Sequence, residues 1–106
     1  MGNTINVDQF YDEVKDCVYK GEHYQARNNG AISRLTPEGK KPRPKDGKWT
    51  FGETIIKGYA CFCGERVHRI VATAFLGEAP SEQHVVDHID TNRQNNRPEN
   101  LRWLTR

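Results

Sequence analysis

The chain has 106 residues, 35% of them hydrophobic, and a formal net charge of +2, the scale of one small domain with a modest core. It has no long apolar run, so neither a membrane span nor a secretory signal is expected, and the cytoplasm is the default location. Cys17, Cys61 and Cys63 are an odd set at spacings unlike a disulfide framework, which points to free thiols in a reducing compartment.

Asp8 is suited to cap a short helix through Phe10, Val14 and Cys17, whose spacing repeats every three to four residues. From Val18 the pattern breaks into short segments around Gly21 and the turn-forming "NNG" at Asn28 to Gly30, which predicts strands over "CVYK", "HYQAR" and "AISRL". Charge is then unevenly distributed. Residues 1–25 carry five acids and two bases, whereas residues 26–48 carry seven bases and two acids. Most of these bases fall in "RLTPEGKKPRPKDGK", so Lys40, Lys41, Arg43 and Lys45 form a candidate phosphate-contacting loop. A solvated loop kept open by Pro37, Pro42 and Pro44 is the competing reading.

"WTF", "TII" and "YACFC" are rich in β-branched and aromatic residues and read as further short strands. In "ERVHRIVATAFLG" the period switches to that of a helix, with Val67, Ile70, Val71, Ala74 and Phe75 on one side and Gly77 as the stop. "HVVDHI" and "LRWLT" read as two strands, joined by the loop "TNRQNNRPEN", in which Pro98 and Glu99 predict a single helical turn. The expected fold class is therefore α+β: short antiparallel strands plus one helix.

Asp87 and His88 are adjacent near a strand end, so their side chains point different ways and imply two jobs. A carboxylate is a hard oxygen ligand for a divalent cation, and an imidazole is the side chain best matched to taking a proton from water. Asn100 offers both a carbonyl and an amide with which to tie the loop together and hold His88. Asn95 and Asn96 read as turn formers bonding their own backbone. Cys61 and Cys63 share a strand face, but no second pair completes a zinc site and no structural zinc is expected. His68, beside Val67 and Ile70, reads as structural or close to DNA. His23 and His84 have no supporting constellation.

The stretches "VHRIVATAFLG" and "VVDHIDTNRQNNRPENLRWLT" closely resemble the HNH endonucleases of the His-Me finger, or ββα-metal, superfamily, particularly the phage and intron-encoded group. "YQARNNGAISRL" is similar, more weakly, to a DNA-associated module that often precedes such nucleases. The resemblance implies a bacterial or phage origin and hydrolysis of double-stranded DNA with one divalent cation, Mg2+ or else Mn2+. It makes Asp87 the metal ligand, His88 the general base and Asn100 the brace of the base-bearing loop. It divides the chain into residues 1–65, an N-terminal α+β region with the basic loop, and residues 66–106, the nuclease motif, within one compact domain.

Two departures from the family pattern stand out. Thr91 occupies a turn position where glycine is usual, which implies a strained or altered turn. The chain also stops at Arg106, before the helix that supplies a further ligand in the family, so a truncated, inactive finger is expected. Leu101 and Trp103 would then lie on an open apolar surface, and a homodimer could cover it. A non-catalytic DNA-binding module using the basic loop and a metal-free protein-interaction domain are the alternatives.

Overall fold

The computed structural model describes residues 13–106. Three small antiparallel sheets surround one helix. Strands β1 (Val14–Tyr19), β2 (Glu22–Arg27) and β3 (Ile32–Arg34) form the first sheet, and β4 (Thr54–Ile56), β5 (Tyr59–Phe62) and β6 (Glu65–Arg66) form the second. Helix α1 (Val67–Leu76) follows at once, and β7 (His84–His88) and β8 (Leu101–Thr105) make the two-stranded third sheet. The α+β class expected from the sequence is the one observed.

Pairing with β2 settles the conformation of β1, in a six-residue register from Val14↔Arg27 to Tyr19↔Glu22. Val14 and Cys17, expected on a helix, therefore lie on a strand. Asp8 and Phe10 lie outside the described residues. The apolar spacing at positions 14, 17 and 18 also fits an alternation in which Cys17 and Tyr19 pack on the core and Val18 faces water. A partner strand that satisfies every second backbone group decides between the two periods, and β-branched Val14 and Val18 suit the result. "WTF" contributes less than a strand, because only Thr50 pairs, in an isolated bridge with Ile32.

Helix α1 is the centre of the molecule. Val67, Ile70, Val71 and Ala72 have no exposed surface, since the helix packs on strands from all three sheets. Tyr24, Ala26, Ile32, Ala60, Phe62 and Leu101 complete this core. Gly77, at φ 82° and ψ 177°, ends the helix as its position predicts, in a positive-φ conformation open essentially to glycine alone. Among the described residues, no helix is long and apolar enough to cross a membrane.

The third sheet runs in register from His84↔Thr105 to His88↔Leu101. Cross-strand partners share a face, so Val86, His88, Leu101 and Trp103 turn toward α1, while Asp87 and Arg102 turn away. Leu101 is only 4% exposed, and Trp103 and Val86 are partly buried against the core. The open surface expected at Leu101 and Trp103 is largely closed, because α1 covers Leu101 and part of Trp103. The apolar surface available to the expected homodimer is therefore small, and dimerisation finds no support there.

Truncating a residue at the centre of this arrangement should be expensive. Ile70→Ala should cost about 2–5 kcal/mol, the usual range for a buried large-to-small change, measured as a lower urea midpoint with an unchanged slope.

Candidate active site

Strand β7 delivers Asp87 and His88 to the rim of one open cleft of about 250 Å³, which Tyr59, Val86, Thr91 and Arg93 also line. Asp87 stands on the outer face in an ion pair with Arg102, whose Nε lies 2.9 Å from Oδ2. His88 is 6% exposed, and its Nε2 lies 2.7 Å from Asn96 Oδ1. Strand alternation thus gives the two neighbours different surroundings, a carboxylate open to solvent and an imidazole backed by the core.

A stack of rings supports His88 from inside. His68 lies 4.9 Å from both His88 and Tyr59, centroid to centroid. His68 is 2% exposed; burial first, then repulsion from His88, Arg69 and Arg66, holds its pKa down at about 3. It is therefore a neutral, packed imidazole at ordinary pH. The guanidiniums of Arg66 and Arg93 lie 4.7 and 4.9 Å from the Tyr59 ring centre, and Arg93 also donates to the Lys57 carbonyl at 2.9 Å. Nothing local in the sequence pairs His68 with His88. Their contact arises from the packing of α1 on β7.

The loop between β7 and β8 is wound around Asn100 and Asp90. Asn100 Oδ1 accepts the Asp90 backbone N–H at 3.0 Å, and its Nδ2 donates to Asp90 Oδ1 and to the Asn95 carbonyl, each at 2.8 Å. Its backbone carbonyl accepts from Ile89 N–H at 2.8 Å. Asp90 also accepts from Asn95 Nδ2 and from the Asn92 N–H, and these bonds, with the one from Asn100, hold its carboxyl below the usual range. Asn100 thus ties the two ends of the loop together without a hydrogen bond to His88.

Asn95 partly fits the turn-former reading, its Oδ1 facing the Arg97 N–H at 3.5 Å. Asn96 does not, because it is 5% exposed and its side chain reaches across to His88. Gly30 presses on the backbone there: a Cβ at this position would sit 3.0 Å from Asn96 C and O, and its φ is 93°. The "NNG" turn therefore both reverses the chain and butts against the finger loop. Thr91, at φ 64°, holds a left-handed conformation unusual for a β-branched residue, consistent with the altered turn expected there.

The basic loop is more self-contained than its composition suggests. Asp46 accepts from Arg34 Nε, Thr36 Oγ1, Arg43 N–H and Arg43 Nε, and its side chain is 2% exposed. Arg43 also forms a two-pronged pair with Glu22, at 2.7 and 3.1 Å, and Lys45 pairs with Glu53. Of the four candidate DNA-contacting residues, Arg43 and Lys45 are thus engaged within the protein. Lys40 and Lys41 are exposed.

An Asp-His pair thus stands at the end of a two-stranded hairpin, with an asparagine-pinned loop behind it. The family model for HNH endonuclease matches residues 65–106. Over 98 residues the chain is 41% identical to DNA endonuclease I-HmuI of Bacillus phage SP01, covering 88% of this chain and 52% of that protein. The solved structure showing DNA binding and cleavage by the HNH homing endonuclease I-HmuI superposes with a TM-score of 0.55 at 33% identity, over 86% of this chain and 52% of the other. The chain is thus similar to HNH endonucleases, and its residues 65–106 match their family model. It spans about half the length of the relatives it matches.

Two measurements follow from this geometry. Thr91→Gly should stabilise the protein by about 0.5–1 kcal/mol, since a left-handed L-residue costs roughly 1–2 kcal/mol and glycine's extra chain entropy returns part of that; chemical denaturation reads the difference. Acid should lower the melting temperature in two stages. Below about pH 6.5 an unfolded His68 takes a proton that the folded one refuses, and below about pH 4 Asp46, Glu22 and Glu53, all held below their usual range, resist protonation in the same way. Stability is thus full above both ranges and is lost as pH falls through them. His68→Phe should remove the first stage, and Asp46→Asn should weaken the second.

Proposed function

We propose that the chain is the catalytic part of an HNH-type DNA endonuclease, hydrolysing a phosphodiester bond with one divalent cation. The observation that carries this reading is that Asp87 and His88 border the same solvent-open cleft while facing different surroundings. No group of three or more His, Cys, Asp or Glu side chains able to hold a metal ion occurs among the described residues. The donor set still fits Mg2+ or Mn2+, because such an ion keeps several waters and is bound by one or two carboxylates together with substrate phosphates. Asp87 is the carboxylate that would hold it. When bound, the cation would stabilise negative charge on the phosphate and the leaving oxygen.

The remaining work falls to side chains of this protein. The imidazole of His88 takes a proton from the attacking water, in the role of general base. Asn100 keeps the loop behind it closed. Arg102 has to release Asp87 for the carboxylate to meet a cation, and its half-exposed side chain is free to turn to solvent or to a DNA phosphate. Double-stranded DNA would approach over the cleft, and the exposed Lys40 and Lys41 of the basic loop are candidates to meet its phosphates.

Plasmid nicking tests the reading, with the chain assayed alone and fused to the complementary half of the phage relative. His88→Ala should lower the rate by roughly 10²–10⁴ and leave DNA retention in gel shifts nearly intact. DNA binding without cleavage in both formats would instead favour a binding module.

Calorimetric titration with Mn2+ separates the two roles. Asp87→Ala should lose binding, Arg102→Gln should gain it severalfold by removing a competitor, and His88→Ala should leave it unchanged. For the basic loop, replacing Lys40 and Lys41 with Ala should flatten the salt dependence of DNA binding by about one unit of slope for each phosphate that is no longer neutralised. An unchanged slope would show a merely solvated loop.

A further inference from the structure

The buried contact between Asn96 and His88 has chemical content beyond packing. A carboxamide oxygen only accepts hydrogen bonds. With Asn96 Oδ1 at 2.7 Å, the nitrogen facing it has to carry the ring proton. A neutral imidazole protonated at Nε2 keeps its lone pair on Nδ1. Nδ1 of His88 has no hydrogen-bond partner among the described residues and is not among the buried unpaired polar atoms, so it meets solvent at the cleft that His88 lines. We infer that Asn96 is a positioning residue which fixes His88 as the Nε2–H tautomer and turns the Nδ1 lone pair toward the cleft, where a water would be deprotonated. The inference rests on the reading of His88 as the general base and names the atom that performs that role.

Asn96 is itself held on several sides. The preceding carbonyl, of Asn95, accepts from Asn100 Nδ2 at 2.8 Å. Gly30 abuts the Asn96 backbone so closely that a Cβ would lie 3.0 Å from it. On the inner side of His88, the His68 ring at 4.9 Å limits rotation of the imidazole. Asn100 and the Gly30 turn thus act on His88 through Asn96. This gives physical content to the bracing role of Asn100 although the two side chains share no hydrogen bond.

The test is nitrogen-15 NMR of the imidazoles in the whole chain at a pH of about 8, above the range in which histidine charges, with His88 assigned from a His88→Gln spectrum. The parent should show a single tautomer with the proton on Nε2, protected from exchange. In Asn96→Ala that proton should exchange at least about tenfold faster, as the loss of a buried hydrogen bond requires, and the ring should drift toward a tautomer mixture. Asn96→Asp retains an acceptor oxygen and should retain both the tautomer and the protection. A parent ring protonated on Nδ1 overturns the inference, even if Asn96→Ala fails to fold. So does an Asn96→Ala protein whose Nε2 proton stays protected, or a folded Asn96→Asp protein that behaves like Asn96→Ala. These readouts are independent of nicking: a His88→Ala enzyme that cuts as fast as its parent would remove the catalytic role and leave the tautomer result standing.

Discussion

Helix α1 has apolar groups on more than one side, and a chain of this size has few ways to cover it. Each of the three sheets contributes strands that pack on it. The requirement to bury Val67, Ile70 and Val71 together fixes where β7 lies, and β7 carries the Asp-His pair. Even Cys17, on the first strand, lies 3.6 Å from the Ile70 carbonyl. The Asp-His pair at the cleft is therefore positioned by a hydrophobic constraint. His68 sits in that helix as a polar residue inside a dry region, uncharged and packed against the rings of Tyr59 and His88. Its Nδ1 is left without a hydrogen-bond partner among the described residues, a cost that stays moderate because the ring is neutral.

Two long irregular segments flank this core, and both are organised in the same way. Residues 35–53 are gathered around Asp46 and residues 89–100 around Asp90. Each carboxylate accepts several hydrogen bonds from its own segment. A loop without regular structure leaves many backbone donors to satisfy, and an ionised carboxylate with two oxygens satisfies more of them than any neutral side chain. The two segments differ in their counter-charge. Asp46 is surrounded by arginines, which makes a nearly neutral knot, whereas Asp90 is surrounded by amides, which leaves the loop beside the cleft without fixed cations of its own apart from Arg93 and Arg97.

The parts legible in the sequence are those specified locally. The helical period of "ERVHRIVATAFLG", the stop at Gly77, and the strands on either side of the asparagine-rich loop follow from the spacing of apolar residues, and all are present. Position 14 is ambiguous on spacing alone, because the same apolar pattern fits a helix or an edge strand, and only the pairing of Val14 with Arg27 on the next strand distinguishes them. The role of Asn96 is hidden for a related reason. Its neighbour Asn95 has the same chemistry, and whether an asparagine bonds its own turn or a histidine eight residues earlier depends on how the loop is folded over. The basic loop is hidden in a different way: composition counts charges, but not their pairing with Glu22, Asp46 and Glu53.

The shared core bears on how such a protein can be recombined in evolution or in the laboratory. Residues 66–106 carry the recognisable motif, yet Tyr24, Ala26 and Ile32 from the first sheet and Ala60 and Phe62 from the second bury the same helix. A finger excised at its motif boundary would carry α1 away with much of its apolar surface stripped bare. The unit that can be grafted onto another protein is thus the motif together with both upstream sheets, and a viable crossover point lies outside the residues that sequence comparison picks out.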